Sequence, residues 1–202
     1  MIVATPLDLP VVKPDNWQVF WDVWNTNKKP LTKIKSNVKQ SDSYLGTSNV
    51  WQGIDIYSAG DVDTAWHAPL IDIQQTLPNL YKTCVNLPIK NVHRVRLIES
   101  QGDVPAHTDD NHDKWSIRAY FYYTDTRPQW YFTQPGDVNG TRHYFNPSAE
   151  TNWFAYNDKH AWHGTDYRAE HPKILLQVYM IDNPRLLVYN SMAKYKEHTL
   201  SL

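Results

Sequence analysis

The chain has 202 residues, with 20 Lys and Arg against 21 Asp and Glu, a length that one domain with a substantial core can use. Near-balanced charge, with no basic stripe or acidic tail, argues against nucleic acid or a membrane surface as partner. A single cysteine, Cys84, excludes an intrachain disulfide and a thiol-rich zinc site. No apolar run approaches membrane-spanning length, and Met1 to Val12 lacks a leader pattern, so a soluble cytoplasmic protein is expected.

The N-terminal third reads as partly helical. Asp15 with Gln18 resembles a capping box, and Trp17, Phe20, Trp21 and Trp24 follow at i, i+3, i+4 and i+7, an apolar stripe of helical period. Pro30 closes that element. A second stripe, Leu70, Ile73, Leu77, Leu80 and Cys84, has the same spacing, with Pro78 either kinking it or starting a separate short helix. From Val92 the period changes to two. His93, Val95 and Leu97 alternate with Arg94 and Arg96; Gly102-Asp103 turns; Val104 to Asp109 is a short strand. Ser116 to Thr124 sets Ile117, Ala119, Phe121 and Tyr123 against Arg118, Tyr120 and Tyr122. Gln134-Pro-Gly-Asp137 and Asn139-Gly140 are turn chemistry. Asn152 to Tyr156 and Lys173 to Ile181 complete the strands, the last placing Lys173, Leu175, Gln177 and Tyr179 on one face. Helices first and strands afterwards predict a mainly β fold. The expected core is a double-stranded β-helix, the jelly roll of cupins, with flanking N-terminal helices. We expect one domain over 1–202, with 1–91 as mixed support and 92–181 as the jelly-roll core.

His107-Thr108-Asp109 carries the chemistry. In an extended strand, side chains at i and i+2 leave on one face, so His107 and Asp109 can converge on one ion. His163, several dozen residues on, supplies a third ligand from another strand. Two imidazoles and a carboxylate on one face of an octahedral metal leave the opposite face open, the arrangement of non-haem Fe(II) oxygenases. A structural zinc is the alternative, but three protein ligands leave a position open, which favours catalysis. His112, Asp110 and Asp113 read as a solvated loop, and Arg168 as a loop cation. His67, His93, His143 and His171 receive no metal role.

The C-terminal half runs HTDDNHDKWSIRAYFYYT, then NWFAYNDKHAWHG, then KILLQVYM. Over residues 92–181 this resembles the Fe(II)/2-oxoglutarate-dependent oxygenase superfamily, in which a basic residue follows the distal histidine by about ten positions. Lys173 stands there. His160 could replace His163 as ligand, but ten positions after it lies Glu170, the wrong charge for a co-substrate carboxylate. Arg118, Tyr120, Thr124, Trp153 and His163-Gly164 are most similar to the aspartyl/asparaginyl β-hydroxylase and proline hydroxylase branch, with Tyr120 where that branch has a histidine. Prolyl 4-hydroxylase-like enzymes, with lysine at this spacing, are the competing branch. The resemblance implies a hydroxylase that consumes O2 and 2-oxoglutarate and acts on a small molecule or peptide. Lys173, with Arg118 as alternative or partner, would hold the far carboxylate of 2-oxoglutarate by charge-assisted hydrogen bonds. The rivals are a non-catalytic cupin-type ligand-binding module and a cupin metalloenzyme that does not use 2-oxoglutarate.

Overall fold

The computed structural model describes residues 2–33, 51–58, 66–89, 92–108, 115–123, 129–145, 152–157, 160–168, 170, 173–180, 190–191, 193–196 and 200–202. Asp109, Asp110, His112, Asp113, Thr124 and His171 of the sequence reading lie outside them.

The chain order is β1 (Ile2–Leu7), α1 (Trp17–Asn27), β2 (Lys29–Pro30), β3 (Thr32–Lys33), β4 (Trp51–Ser58), β5 (Trp66–His67) and α2 (Pro78–Val85). There follow β6 (Val92–Ser100), β7 (Val104–His107), β8 (Trp115–Tyr123), β9 (Trp130–Phe132) and β10 (His143–Tyr144). The last strands are β11 (Trp153–Asn157), β12 (His163–Thr165), β13 (Lys173–Met180) and β14 (Leu200–Ser201). An eight-stranded sheet runs β14-β1-β11-β8-β13-β6-β4-β2 and a four-stranded sheet β10-β9-β12-β7. Between them, β6 to β13 supply β11-β8-β13-β6 on one side and β10-β9-β12-β7 on the other. The chain crosses between sheets at almost every step, which is a jelly roll. The pairing within both sheets is antiparallel.

The alternation read in the sequence decides which side chains enter the space between the sheets. On β8, Ile117 and Ala119 join the outer core with Val95, Leu97, Leu176 and Val178, whereas Tyr120 joins Leu175, Ile98 and Phe154 in the inner one. The outer layer is closed by both helices. Phe20 and Trp24 of α1 are buried, and Phe20 meets Phe121 at 4.9 Å while Trp17 packs on Phe121 and Tyr122. The bulge in the β8–β13 pairing at Ile174/Leu175 shifts the alternation, so both Phe121 and Tyr122 face this layer.

One detail differs from the sequence reading, and a second settles an alternative it left open. The cap of α1 is Asn16, whose side chain accepts from the backbone N–H groups of Gln18 and Val19. Asp15 instead ties the two helices together, its carboxylate accepting from Asn79 N at 3.0 Å, in the first turn of α2. Of the two readings of Pro78, the structure has the separate short helix. Pro78 occupies the first turn of α2, where its missing N–H costs nothing, and only Leu80 and Cys84 are buried from within it. The support region also contributes strands: β1 and β4 extend the large sheet, so 1–91 is built into the sheet as well as laid over it.

Candidate active site

β7 and β12 are neighbours, and their register sets His163 directly opposite His107. The two ring centroids are 4.6 Å apart. Each ring is anchored in the same way: His107 Nδ1 lies 2.8 Å from Pro105 O, and His163 Nδ1 lies 2.8 Å from Ala161 O. A carbonyl can only accept, so Nδ1 carries a proton, and in the neutral ring Nε2 is then the nitrogen with the lone pair. Ligand histidines are held this way, with the second nitrogen locked by a carbonyl or carboxylate. His163 is buried in an aromatic cage formed by Trp130, stacked at 5.4 Å, with Tyr156 at 4.7 Å and Phe132 at 6.4 Å. Gly164 is needed beside it: a Cβ there would sit 2.5 Å from Val104 O and 2.4 Å from the Tyr131 hydroxyl oxygen.

These two imidazoles fit a metal that takes nitrogen donors. Among the described residues no group of three or more His, Cys, Asp and Glu side chains converges, and Asp109 is outside that set. His160 is exposed on a turn, with its backbone N–H bonded to Asn157. His143 is half-buried on β10, at the far edge of the small sheet.

Lys173 is buried inside the roll. Its ammonium donates to Gln129 Oε1 at 3.0 Å, to Thr165 Oγ1 and to Asp166 O at 3.1 Å. All three acceptors are neutral, and among the described residues no carboxylate touches it; the Asp166 side chain pairs with Arg142 instead. A buried cation without a counter-ion is expensive. Burial accordingly pushes the Lys173 ammonium down to about 7, with the nearby Arg168 charge adding to the effect and Asp166 and Asp103 opposing it. Thr165 is two residues from His163 along β12, so the lysine is held by the strand that carries the imidazole.

Arg118, also inside, is opposite Gln177 on β13, four positions from Lys173 and therefore roughly 13 Å along the strand. Its guanidinium lies 4.3 Å over Trp130 and 5.2 Å over Tyr156, the rings that cage His163. Trp130 in turn pairs with Thr165, the residue that Lys173 contacts, so both candidate cations border the same stretch of β9 and β12. Arg96 and Arg94 are buried on the same inner face and share Asp55, with Arg96 Nε at 2.9 Å and Arg94 Nε at 3.5 Å. The alternation in Val92 to Ile98 does separate them from Val95 and Leu97, but nothing in it shows that the arginine face is the interior. Gln129, Trp130 and Tyr156 also carry no signal in the sequence. Thr165 was recoverable, being two positions from His163 on an extended strand.

The lysine makes stability depend on pH with a definite sign. Unfolded, Lys173 keeps its proton to about 10.5; folded, it loses it near 7. Between those values the unfolded chain binds more protons, so stability rises with pH across that window and is at its least favourable below it. The Tm of the metal-free protein is expected to rise from pH 7 to pH 9.5 relative to that of Lys173→Met. Parallel Tm profiles for the two proteins would contradict this.

A jelly-roll protein with two carbonyl-locked imidazoles and a buried lysine between its sheets is the class that fold and site define. No family model and no curated protein matches the sequence. The chain is similar to the crystal structure of an oxidoreductase of the 2OG-Fe(II) oxygenase family from Burkholderia pseudomallei, at 12% identity and a TM-score of 0.41, over 66% of this chain and 68% of that one. No helix among the described residues is long and apolar enough to cross a membrane.

Proposed function

We propose that the chain is an Fe(II)- and 2-oxoglutarate-dependent dioxygenase that hydroxylates a C–H bond of a small molecule or peptide. The observation that carries this reading is the buried Lys173 ammonium, held by neutral acceptors and tied to the strand of His163, in the same roll as a pair of imidazoles locked at Nδ1 by backbone carbonyls. A five-carbon diacid bound to the metal by its keto-acid end would present its second carboxylate to that lysine. His107, Asp109 and His163 would hold the iron, and Lys173 the far carboxylate. Iron, when bound, supplies the open coordination face at which O2 and the keto acid react. Arg118, whose guanidinium lies over Trp130, is the alternative or additional cation for that carboxylate. The aspartyl/asparaginyl β-hydroxylase-like branch rests on the resemblance at Arg118, Thr124, Trp153 and His163-Gly164, with Tyr120 where that branch has a histidine.

The protein's own groups account for the rest of the chemistry. Trp130, Phe132 and Tyr156 exclude water from His163, so its lone pair is not spent on solvent. Gln129 and Thr165 fix the lysine before the co-substrate arrives. The test is release of succinate from 2-oxoglutarate by purified protein with Fe(II), ascorbate and O2. Succinate formation that requires added Fe(II) is expected. If 2-oxoglutarate is not consumed while the protein still binds Fe(II), the cupin metalloenzyme that does not use 2-oxoglutarate replaces this reading. If it binds no metal, the non-catalytic module does.

A further inference from the structure

On β12 the alternation that turns His163 and Thr165 inward turns Gly164 and, one residue beyond the strand, Asp166 to the outer face of the small sheet. On that face Tyr131 stands opposite Gly164, and Tyr144 opposite Tyr131. From this edge two groups reach the Asp166 carboxylate. Tyr144 Oη donates to Oδ2 at 2.5 Å, and Arg142 donates to Oδ1 with its guanidinium 4.6 Å over the Tyr131 ring. Both grips persist through the neutral range. A guanidinium does not titrate there, and burial, then the bond to Asp166, pushes the Tyr144 phenol up.

The main chain of the same residue faces the lysine. Asp166 N donates to Gln129 O at 2.9 Å, and Asp166 O accepts from Lys173 at 3.1 Å. One residue thus joins an ion pair on the outer face to the buried ammonium, and brings a carboxylate within a side chain's length of it. The other charges near Lys173 among the described residues are Arg168, two positions further on, and Asp103, in the turn between β6 and β7. Asp103 is exposed and accepts from Tyr167 N, so water screens it, whereas the Asp166 side chain is 16% exposed. Burial lowers the Lys173 ammonium most; among the neighbouring charges Asp166 acts most strongly, and in the opposite direction. We propose that Asp166 is a positioning residue that acts through Lys173: its carboxylate, fixed outside by Arg142 and Tyr144, keeps the buried ammonium in the charged form that attracts a co-substrate carboxylate. The consequence for 2-oxoglutarate rests on the Fe(II)/2-oxoglutarate reading; the hold on the lysine's charge does not.

The test titrates Lys173 directly, by carbon NMR of metal-free protein isotopically labelled at the lysine ε-carbon, with Lys173→Met identifying the signal. Asp166→Asn retains the backbone carbonyl and the size of the side chain but removes the charge. It should move the Lys173 midpoint down by about one pH unit, the low end of what a nearby opposite charge confers. Arg142→Met removes the cation that offsets Asp166 and should move the midpoint up. Loosened packing would instead admit water and raise the midpoint toward the ordinary lysine value in both variants. A shift in the same direction in the two variants, or none in Asp166→Asn, would overturn the proposal. In anaerobic titrations of the Fe(II)-loaded protein, the pH above which 2-oxoglutarate affinity falls should be lower in Asp166→Asn by the same amount. If the lysine midpoints move as expected while the parent binds no 2-oxoglutarate at any pH, the dioxygenase reading fails and the coupling of Asp166 to Lys173 stands.

Discussion

His163→Ala is expected to abolish tight Fe(II) binding, with a loss beyond the roughly 10–100-fold that an outer-shell change costs. His163 is 1% exposed, its ring locked by Ala161 O and stacked on Trp130, and no other described histidine reaches the position opposite His107. Asp109→Ala should do the same, as the proposed carboxylate ligand. His160→Ala is the matched control: this exposed side chain lies three residues away, and its replacement should leave metal affinity within a few-fold of the parent's. Anaerobic calorimetry with Fe(II) distinguishes the variants. Retained binding in His163→Ala together with loss in His160→Ala would move the third ligand to His160.

The second large effect belongs to Lys173. A buried charge-assisted hydrogen bond contributes roughly 1.5–3 kcal/mol, so Lys173→Ala should weaken 2-oxoglutarate binding by about one to two orders of magnitude. Metal affinity should be unchanged, because Lys173 touches Gln129, Thr165 and Asp166 O and neither histidine. Lys173→Arg keeps the charge but must place a longer planar fork in a space already lined by three acceptors, so it should recover only part of the affinity. In the parent, affinity should fall as pH rises above about 7, where the free lysine loses the charge that attracts the carboxylate. Equal affinity in Lys173→Ala and the parent, with a loss in Arg118→Ala, would transfer the clamp to Arg118.

Much of this site was legible because its strands are long enough for a period to show. β8 and β13 alternate over eight or nine residues, and that alternation put Lys173, Leu175 and Gln177 on one face, the face that proves to be the interior. The α1 stripe was equally plain. What escaped was short or locally ambiguous. β9 and β12 have three residues each, too few to carry a period, yet they bring Trp130 and Thr165 to the site. β1 contains Pro6 and β4 contains Gly53, residues that weaken a strand reading, so two strands of the large sheet are not evident from the sequence. Asp15 and Asn16 are adjacent capping residues, and the choice between them depended on α2 arriving beside Asp15, a tertiary contact.

The most direct measurement is an anaerobic titration of three samples: protein with Fe(II), protein with 2-oxoglutarate, and protein with both. The account predicts a visible absorption band only when both are present, saturating at one Fe(II) and one 2-oxoglutarate per chain and missing from His163→Ala. A parent protein that binds Fe(II) but develops no band at saturating 2-oxoglutarate would contradict it.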